Sequence, residues 1–195
     1  MKRLASLTLF AGFAAFGTTL LAADVPALSQ TADVIIVGTV RASAPRLTKD
    51  GARIITDTEI EIGEVLKGKP NTPTLVVMQP GGIVGDVGQK VEGTASFAVG
   101  EEVVVFLDRR GNDRFAVTAM SQGKFRVERS TDGKTVFAVP QHSTSLLIDP
   151  VTQKETESGL KTMPLAELKT KIAAAMAVPV SPVVQPGRPG LKTAP

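Results

Sequence analysis

Few side chains in this sequence could carry chemistry. The chain has one histidine and no cysteine, tryptophan or tyrosine. A cysteine nucleophile, a thiolate metal site, a disulfide scaffold and a two-histidine metal site within one chain are therefore excluded. The histidine, His142, lies in Gln141-His142-Ser143-Thr144-Ser145, just after Pro140. A hydrolase built on it would need Ser143 or Ser145 as the activated nucleophile. No Gly-x-Ser-x-Gly elbow occurs anywhere in the chain, and a lone loop histidine is ordinarily solvated. The remaining acid–base candidates are Asp57, Glu59, Glu61 and Glu64. The first three alternate with apolar residues, the pattern of a wet sheet face, and no calcium-loop spacing is present. Spacing alone leaves a glycosidase carboxylate pair open, although its cleft would lack the aromatic platforms that Trp and Tyr provide.

Two other clusters invite a functional reading. Gln79–Gly93 (QPGGIVGDVGQKVEG) is the segment densest in glycine. A phosphate-cradling loop requires a helix N-terminus directly after its glycines, and no helical stripe follows these. Three large apolar residues, Ile83, Val84 and Val87, lie among the glycines and gain nothing from exposure. They are the candidate binding residues if the loop meets a partner. The second cluster is basic: Arg109, Arg110 and Arg114 around one turn, with Lys124, Arg126 and Arg129 on a nearby strand. Single-strand nucleic-acid binders add exposed aromatics to such a patch. Here Phe97, Phe106, Phe115, Phe125 and Phe137 all fall inside apolar strand patterns, so nucleic acid is not an expected partner. No cofactor and no metal site is expected.

The elements that must position these residues are mostly strands. Strand patterns cover Asp33–Ser43, Arg53–Leu66, Thr74–Met78, Glu102–Leu107, Arg114–Met120, Lys124–Glu128 and Lys134–Val139. Ile54, Thr56, Thr58, Ile60 and Ile62 share one face of the second, and Gly63 marks a bulge where the apolar phase shifts to Val65. Glu102–Leu107 is apolar enough to be buried on both faces. Arg109–Asp113 and Thr131-Asp132-Gly133 read as hairpin connections. One helix is expected to begin at Met163-Pro164, with Leu165, Leu168, Ile172 and Met176 as its core stripe. Short strands at this spacing predict a mainly β chain, a small antiparallel OB-like β-barrel with one C-terminal α-helix.

Both ends differ from the middle. Lys2 and Arg3 precede an uncharged run to Ala23 that closes on Leu20-Leu21-Ala22-Ala23. Residues 1–23 read as a signal peptide cleaved after Ala22 or Ala23, with an uncleaved membrane anchor as the rival. Residues 24–177 form the barrel domain with its helix. The Pro-rich residues 178–195 read as a disordered tail. The formal net charge of +3 comes from these ends. Lys2, Arg3, Arg188 and Lys192 carry the basic excess, and the domain between them is close to neutral. That gives no general electrostatic case for nucleic acid or an anionic membrane.

The runs ADVIIVGTV, EVLKG, TLVVMQPGG, FAVGEEVVVFLD and FAVTAMSQGKFRV span Ala32 to Val127. In this order they resemble a β-domain that recurs in exported bacterial proteins of undefined function. More distantly they resemble the netrin-like module of tissue inhibitors of metalloproteinases. That module is an OB-type barrel with a "VxGxV" first strand, a long second strand ending in "KG" and a "GExVVxFL" strand. The resemblance covers about half the chain and implies the fold. Those inhibitors chelate a protease zinc with an N-terminal cysteine, which this chain lacks, so no functional residue carries over. The expectation is an exported, non-enzymatic binding or interaction module, periplasmic or secreted, whose partner is an envelope or extracellular protein. After signal cleavage no stable membrane span is expected. The alternatives are a secreted hydrolase using His142 or the strand carboxylates, and an envelope-structural protein tethered by its Pro-rich tail.

Overall fold

The computed structural model describes residues 19–111, 114–142 and 145–178. The signal region up to residue 18, Asp113, Ser143 and the tail from residue 179 lie outside the described residues. In chain order the elements are β1 (Thr19–Leu21), α1 (Val25–Thr31), β2 (Val34–Leu47), β3 (Ile54–Lys67), β4 (Thr74–Pro80), β5 (Gly82–Val84), β6 (Val87–Gln89) and β7 (Glu102–Arg109). β8 (Arg114–Val117), a 3-10 turn (Met120–Gly123), β9 (Lys124–Arg129), β10 (Val136–Pro140), β11 (Leu146–Ile148), β12 (Glu155–Thr156), β13 (Met163–Pro164) and α2 (Leu165–Ala177) follow.

β2, β3, β4, β8 and β7 pair in a ring, a closed five-stranded barrel consistent with a small OB-like fold. The only parallel contact in that ring joins β4 to β8. Closure needs strong coiling, and the long β2–β3 pair supplies it through register shifts. One shift leaves Gly63 unpaired between Glu64, opposite Val37, and Ile62, opposite Gly38, so the bulge sits where the apolar phase changes. β2 continues through Pro45, which pairs with Thr56. The proline is tolerated because β7 contacts β2 only over Val34–Thr39 and leaves the far end of β2 as an edge.

The ladder β2–β7–β9–β10–β13 continues beyond the ring and carries a second core. Val103, Val105 and Leu107 of β7 point into the barrel with Val34, Ile36, Ile60, Leu75 and Phe115. Val104 and Phe106 point the other way, onto Leu28 of α1 and Leu168 and Ile172 of α2. β7 is thus buried on both faces. Each such aliphatic or aromatic side chain contributes roughly 1.5–3 kcal/mol on leaving water.

Three local expectations are corrected. Arg114–Met120 is not one strand, because β8 ends at Val117 and both Ala119 and Met120 adopt left-handed φ, 51° and 59°. The chain must turn sharply there, and Gly123 lets it: a Cβ at that position would lie 2.2 Å from the Thr118 carbonyl oxygen. On α2, Ala175 rather than Met176 completes the buried stripe with Leu168 and Ile172, while Met176 is 40% exposed. The 4-then-3 spacing 168, 172, 175 stays on one face, and position 176 lies about 100° further round. The third is α1, which the sequence reading did not foresee. Asp24 caps it by accepting the Ala27 N–H at 2.8 Å, and Pro26 occupies its first turn.

Thr19–Leu21, the end of the expected signal, pair in parallel with β11 in this uncut chain. The buried Gln122 holds that segment, donating from Nε2 to the Leu21 oxygen at 2.8 Å and accepting the Ala23 N–H at 2.9 Å. Among the described residues, no helix is long and apolar enough to cross a membrane.

Candidate functional site: the mouth of the barrel

The inward-facing series on β3 and β4 changes character at one end. On β4, Leu75 and Val77 give way to Gln79; on β3, Ile60 gives way to Thr58 and Thr56. Alternation puts these residues on the same face as the apolar core, so the barrel interior turns polar toward this mouth. A cleft of about 750 Å³ opens there. Thr56, Thr58 and Gln79 form its floor, joined by Ser121 from the strained 3-10 turn.

One wall is the β5–β6 hairpin. Val84 pairs with Val87 across the two-residue turn Gly85-Asp86, where Gly85 has φ 58°. Glycine as the first central residue is what a II′ turn demands. The base of the hairpin is fixed to the barrel. The Thr56 hydroxyl donates to the Gly81 carbonyl at 2.7 Å, and Gln89 Oε1 accepts the Ile54 N–H at 2.8 Å. Gly82 approaches so closely that a Cβ would lie 2.7 Å from Thr56 Oγ1 and 2.9 Å from Pro45 Cβ. Ile83 lines the cleft and is 69% exposed, whereas Val84 is half-buried and Val87, 62% exposed, does not line it. Of the three residues proposed from sequence, the structure brings only Ile83 to the cleft.

The opposite wall is the segment from Lys90 to Phe97. Gln141 anchors it, accepting the Ser96 N–H at 2.9 Å and donating to the Thr94 oxygen at 3.3 Å. Lys124 anchors it again. Its ammonium donates to the Ser96 carbonyl and to both oxygens of Glu101, and lies 4.9 Å from the centre of the Phe97 ring. Burial pulls the Lys124 pKa below the ordinary lysine value, and the Glu101 carboxylate offsets part of that. Lys90 and Glu92 pair with each other on this wall at 2.7 Å.

Two polar groups on the floor have no partner among the described residues. Gln79, 7% exposed, leaves its Nε2 without an acceptor, and Ser121, 1% exposed, leaves its hydroxyl unpaired. Both line the cleft. Neither was singled out from the sequence. The available signal was the polar turn taken by two inward series at matching ends, in Ile60-Thr58-Thr56 and Leu75-Val77-Gln79.

The other candidates lie elsewhere or in a different state. His142 is exposed on the cleft lining, and no hydrogen bond to its ring is seen among the described residues. Asp57 lies on the outside of the barrel between Arg46 at 2.7 Å and Arg114 at 3.2 Å. Burial raises its pKa, but the two guanidiniums outweigh that and hold it below the ordinary carboxylate value. Glu61 pairs with Arg41 and Glu64 with Lys169. None of these carboxylates, nor Glu59, lines the cleft. The basic cluster is paired as well: Arg110 with Asp108, Arg114 with Asp57, Lys124 with Glu101, Arg126 with Glu128 and Arg129 with Glu102. Arg109 spreads over the Phe115 ring and donates to the Lys69 oxygen. Phe106, Phe115 and Phe125 are fully buried, while Phe97 and Phe137 are half-buried. Among the described residues, no group of three acidic or histidine side chains could hold a metal. No protein-family model matches the chain, and no curated protein matches it in sequence.

Proposed function

We propose that this chain is an exported, non-enzymatic binding module that takes part of an envelope or extracellular partner into the mouth of its barrel. The observation that carries the reading is that two cleft-lining residues, Gln79 and Ser121, hold buried polar groups, Nε2 and Oγ, without a partner among the described residues. An unpaired buried donor costs about 1–3 kcal/mol, and a ligand that meets it recovers that cost on binding. Barrel mouths are frequent ligand sites, and this volume lies within the usual range of about 300–1,000 Å³. Export rests on Lys2-Arg3, the uncharged run and the Ala22-Ala23 close. The alternative hydrolase draws no support from the strand carboxylates, since Asp57, Glu61 and Glu64 serve bases on the barrel exterior.

The test has two arms. N-terminal sequencing of the envelope form should begin at Ala23 or Asp24, and an intact Met1 in a soluble cytoplasmic fraction would remove export from the reading. Immobilised mature protein should retain from envelope extract a component that a folded Gln79→Met, Ser121→Ala variant releases. Equal retention by both proteins would remove the cleft.

A further inference from the structure

The fold uses glutamine carboxamides in a repeated way. Gln122 Nε2 donates to the carbonyl of Leu21 while its Oε1 accepts the N–H of Ala23. Gln141 Nε2 donates to the carbonyl of Thr94 while its Oε1 accepts the N–H of Ser96. In both cases one amide takes the C=O of residue i and the N–H of residue i+2. Those two groups point to the same side of an extended chain and are the pair that a parallel strand would satisfy. A glutamine side chain thus stands in for a neighbouring strand, two positions at a time.

Gln79 has the same carboxamide, on a residue that lines the cleft, with Nε2 buried and unpaired among the described residues. Resting on the binding-module reading above, we infer that Gln79 is a third clamp of this kind, left open for an extended peptide segment of a partner chain. Its amide receives the C=O of one ligand residue and the N–H of the residue two further on. Ser121 Oγ, also unpaired, supplies a neighbouring hydrogen bond. The segment is uncharged where it enters. The floor residues Thr56, Thr58, Gln79 and Ser121 carry no ionisable group, and Lys90 and Glu92 neutralise each other on the wall. A charged group carried down to that floor would lose water without gaining a counter-charge. Ile83, Ala95 and Phe97 give the segment apolar surface. Strand-like main-chain recognition of this type takes affinity from backbone groups and selectivity from alternate side chains.

The probes are capped tetrapeptides, Ac-Val-Ala-Val-Ala-NH2 and the same peptide N-methylated at each interior amide, with maltose and sodium phosphate alongside. The readout is the ¹⁵N–¹H spectrum of the full mature chain, including the side-chain amide of Gln79. The unmethylated peptide should move the Gln79 side-chain resonances and those of residues 94–97. Methylation of the clamped amide should weaken binding roughly five- to tenfold, the worth of one neutral hydrogen bond. Gln79→Met removes both bonds of the clamp, so it should weaken the unmethylated peptide more than methylation does and the methylated one by about the single bond it retains. Peptide binding that leaves the Gln79 resonances unmoved, or that ignores methylation at every position, would overturn the clamp. Cleft resonances that respond to maltose or phosphate but to neither peptide would overturn the peptide class alone, with the binding module standing. Silence from all four probes would overturn both.

Discussion

Replacing Gln79 by methionine should make the free protein more stable, an unusual direction for a change at a buried position. Methionine has nearly the length and flexibility of glutamine and fills the same space without a polar end. In the parent, the Gln79 Nε2 is buried and unpaired. Removing it relieves a desolvation penalty of about 1–3 kcal/mol, from which imperfect packing subtracts part, leaving a gain of about 1–2 kcal/mol. For a domain of this size that raises Tm by roughly 3–6 °C. The same substitution at Gln141 should act in the opposite direction, because that amide holds Ser96 N–H and Thr94 O. Losing both bonds should cost about 1–2 kcal/mol. With no tryptophan or tyrosine in the chain, intrinsic fluorescence reports little, so urea and thermal unfolding are followed by far-UV circular dichroism. Opposite signs at the two glutamines, with unchanged m-values, support the reasoning. Destabilisation of similar size at both would refute it, since Gln79 would then be as well paired in the free protein as Gln141, through ordered water.

Three further outcomes follow from the same structure. Leu168→Ala should cost about 2–5 kcal/mol, because the side chain is fully buried between α2 and the sheet, whereas Met176→Ala should stay within about 0.5 kcal/mol; equal urea midpoints for the two would place the helix wrongly. Glu101→Gln should destabilise by about 3–5 kcal/mol, leaving the buried Lys124 ammonium without its carboxylate, and adding Lys124→Met should recover most of the loss. If the double variant is the less stable one, the lysine contributes through the Ser96 carbonyl and the Phe97 ring rather than through its charge pair. Asp57 has a folded pKa below its unfolded one, so its contribution is complete above the unfolded value and is lost as pH falls through the folded value. The stability gap between parent and Asp57→Asn should therefore close on acidification from neutrality to about pH 3; a gap that is constant with pH would show that Arg46 and Arg114 act on Asp57 only sterically.

Much of the barrel was legible because strand periodicity is a local property. The alternation from Ile54 to Ile62, the two-faced Glu102–Leu107 and the phase shift at Gly63 each translate directly into pairing. The helix was legible for the same reason, except that its stripe follows Ala175, a small residue that hydrophobicity alone passes over in favour of Met176. Ring closure was less visible, since the β4–β8 contact joins segments separated by the hairpin, the Lys90–Phe97 wall and β7. The cleft was hidden for a different reason. Gln79 and Thr58 occupy inward positions that strand patterning assigns to the core, and only the assembled barrel shows that both lie at the same open end. Ile83 and Val87 were conspicuous in sequence because apolar residues among glycines look misplaced, yet only Ile83 reaches the cleft.

If the N-terminal segment is removed as proposed, the parallel pairing of Thr19–Leu21 with β11 gives that cut a structural consequence. In the uncut chain Gln122 is occupied, holding Leu21 and Ala23. A cut after Ala23 takes away both partners at once and strips β11 of its parallel neighbour. On the proposed export reading, residues up to Ala23 would act as an internal placeholder, filling in the uncut chain a seat that cleavage would vacate. Ser121 and Gln122 are adjacent in the turn that begins with two left-handed residues, so the vacated seat and the barrel mouth share one short, strained piece of backbone. Export would thereby couple processing to readiness. The uncut chain keeps one of its strand-mimicking amides satisfied, and a chain cut after Ala23, as proposed, would meet any partner with that edge newly bare.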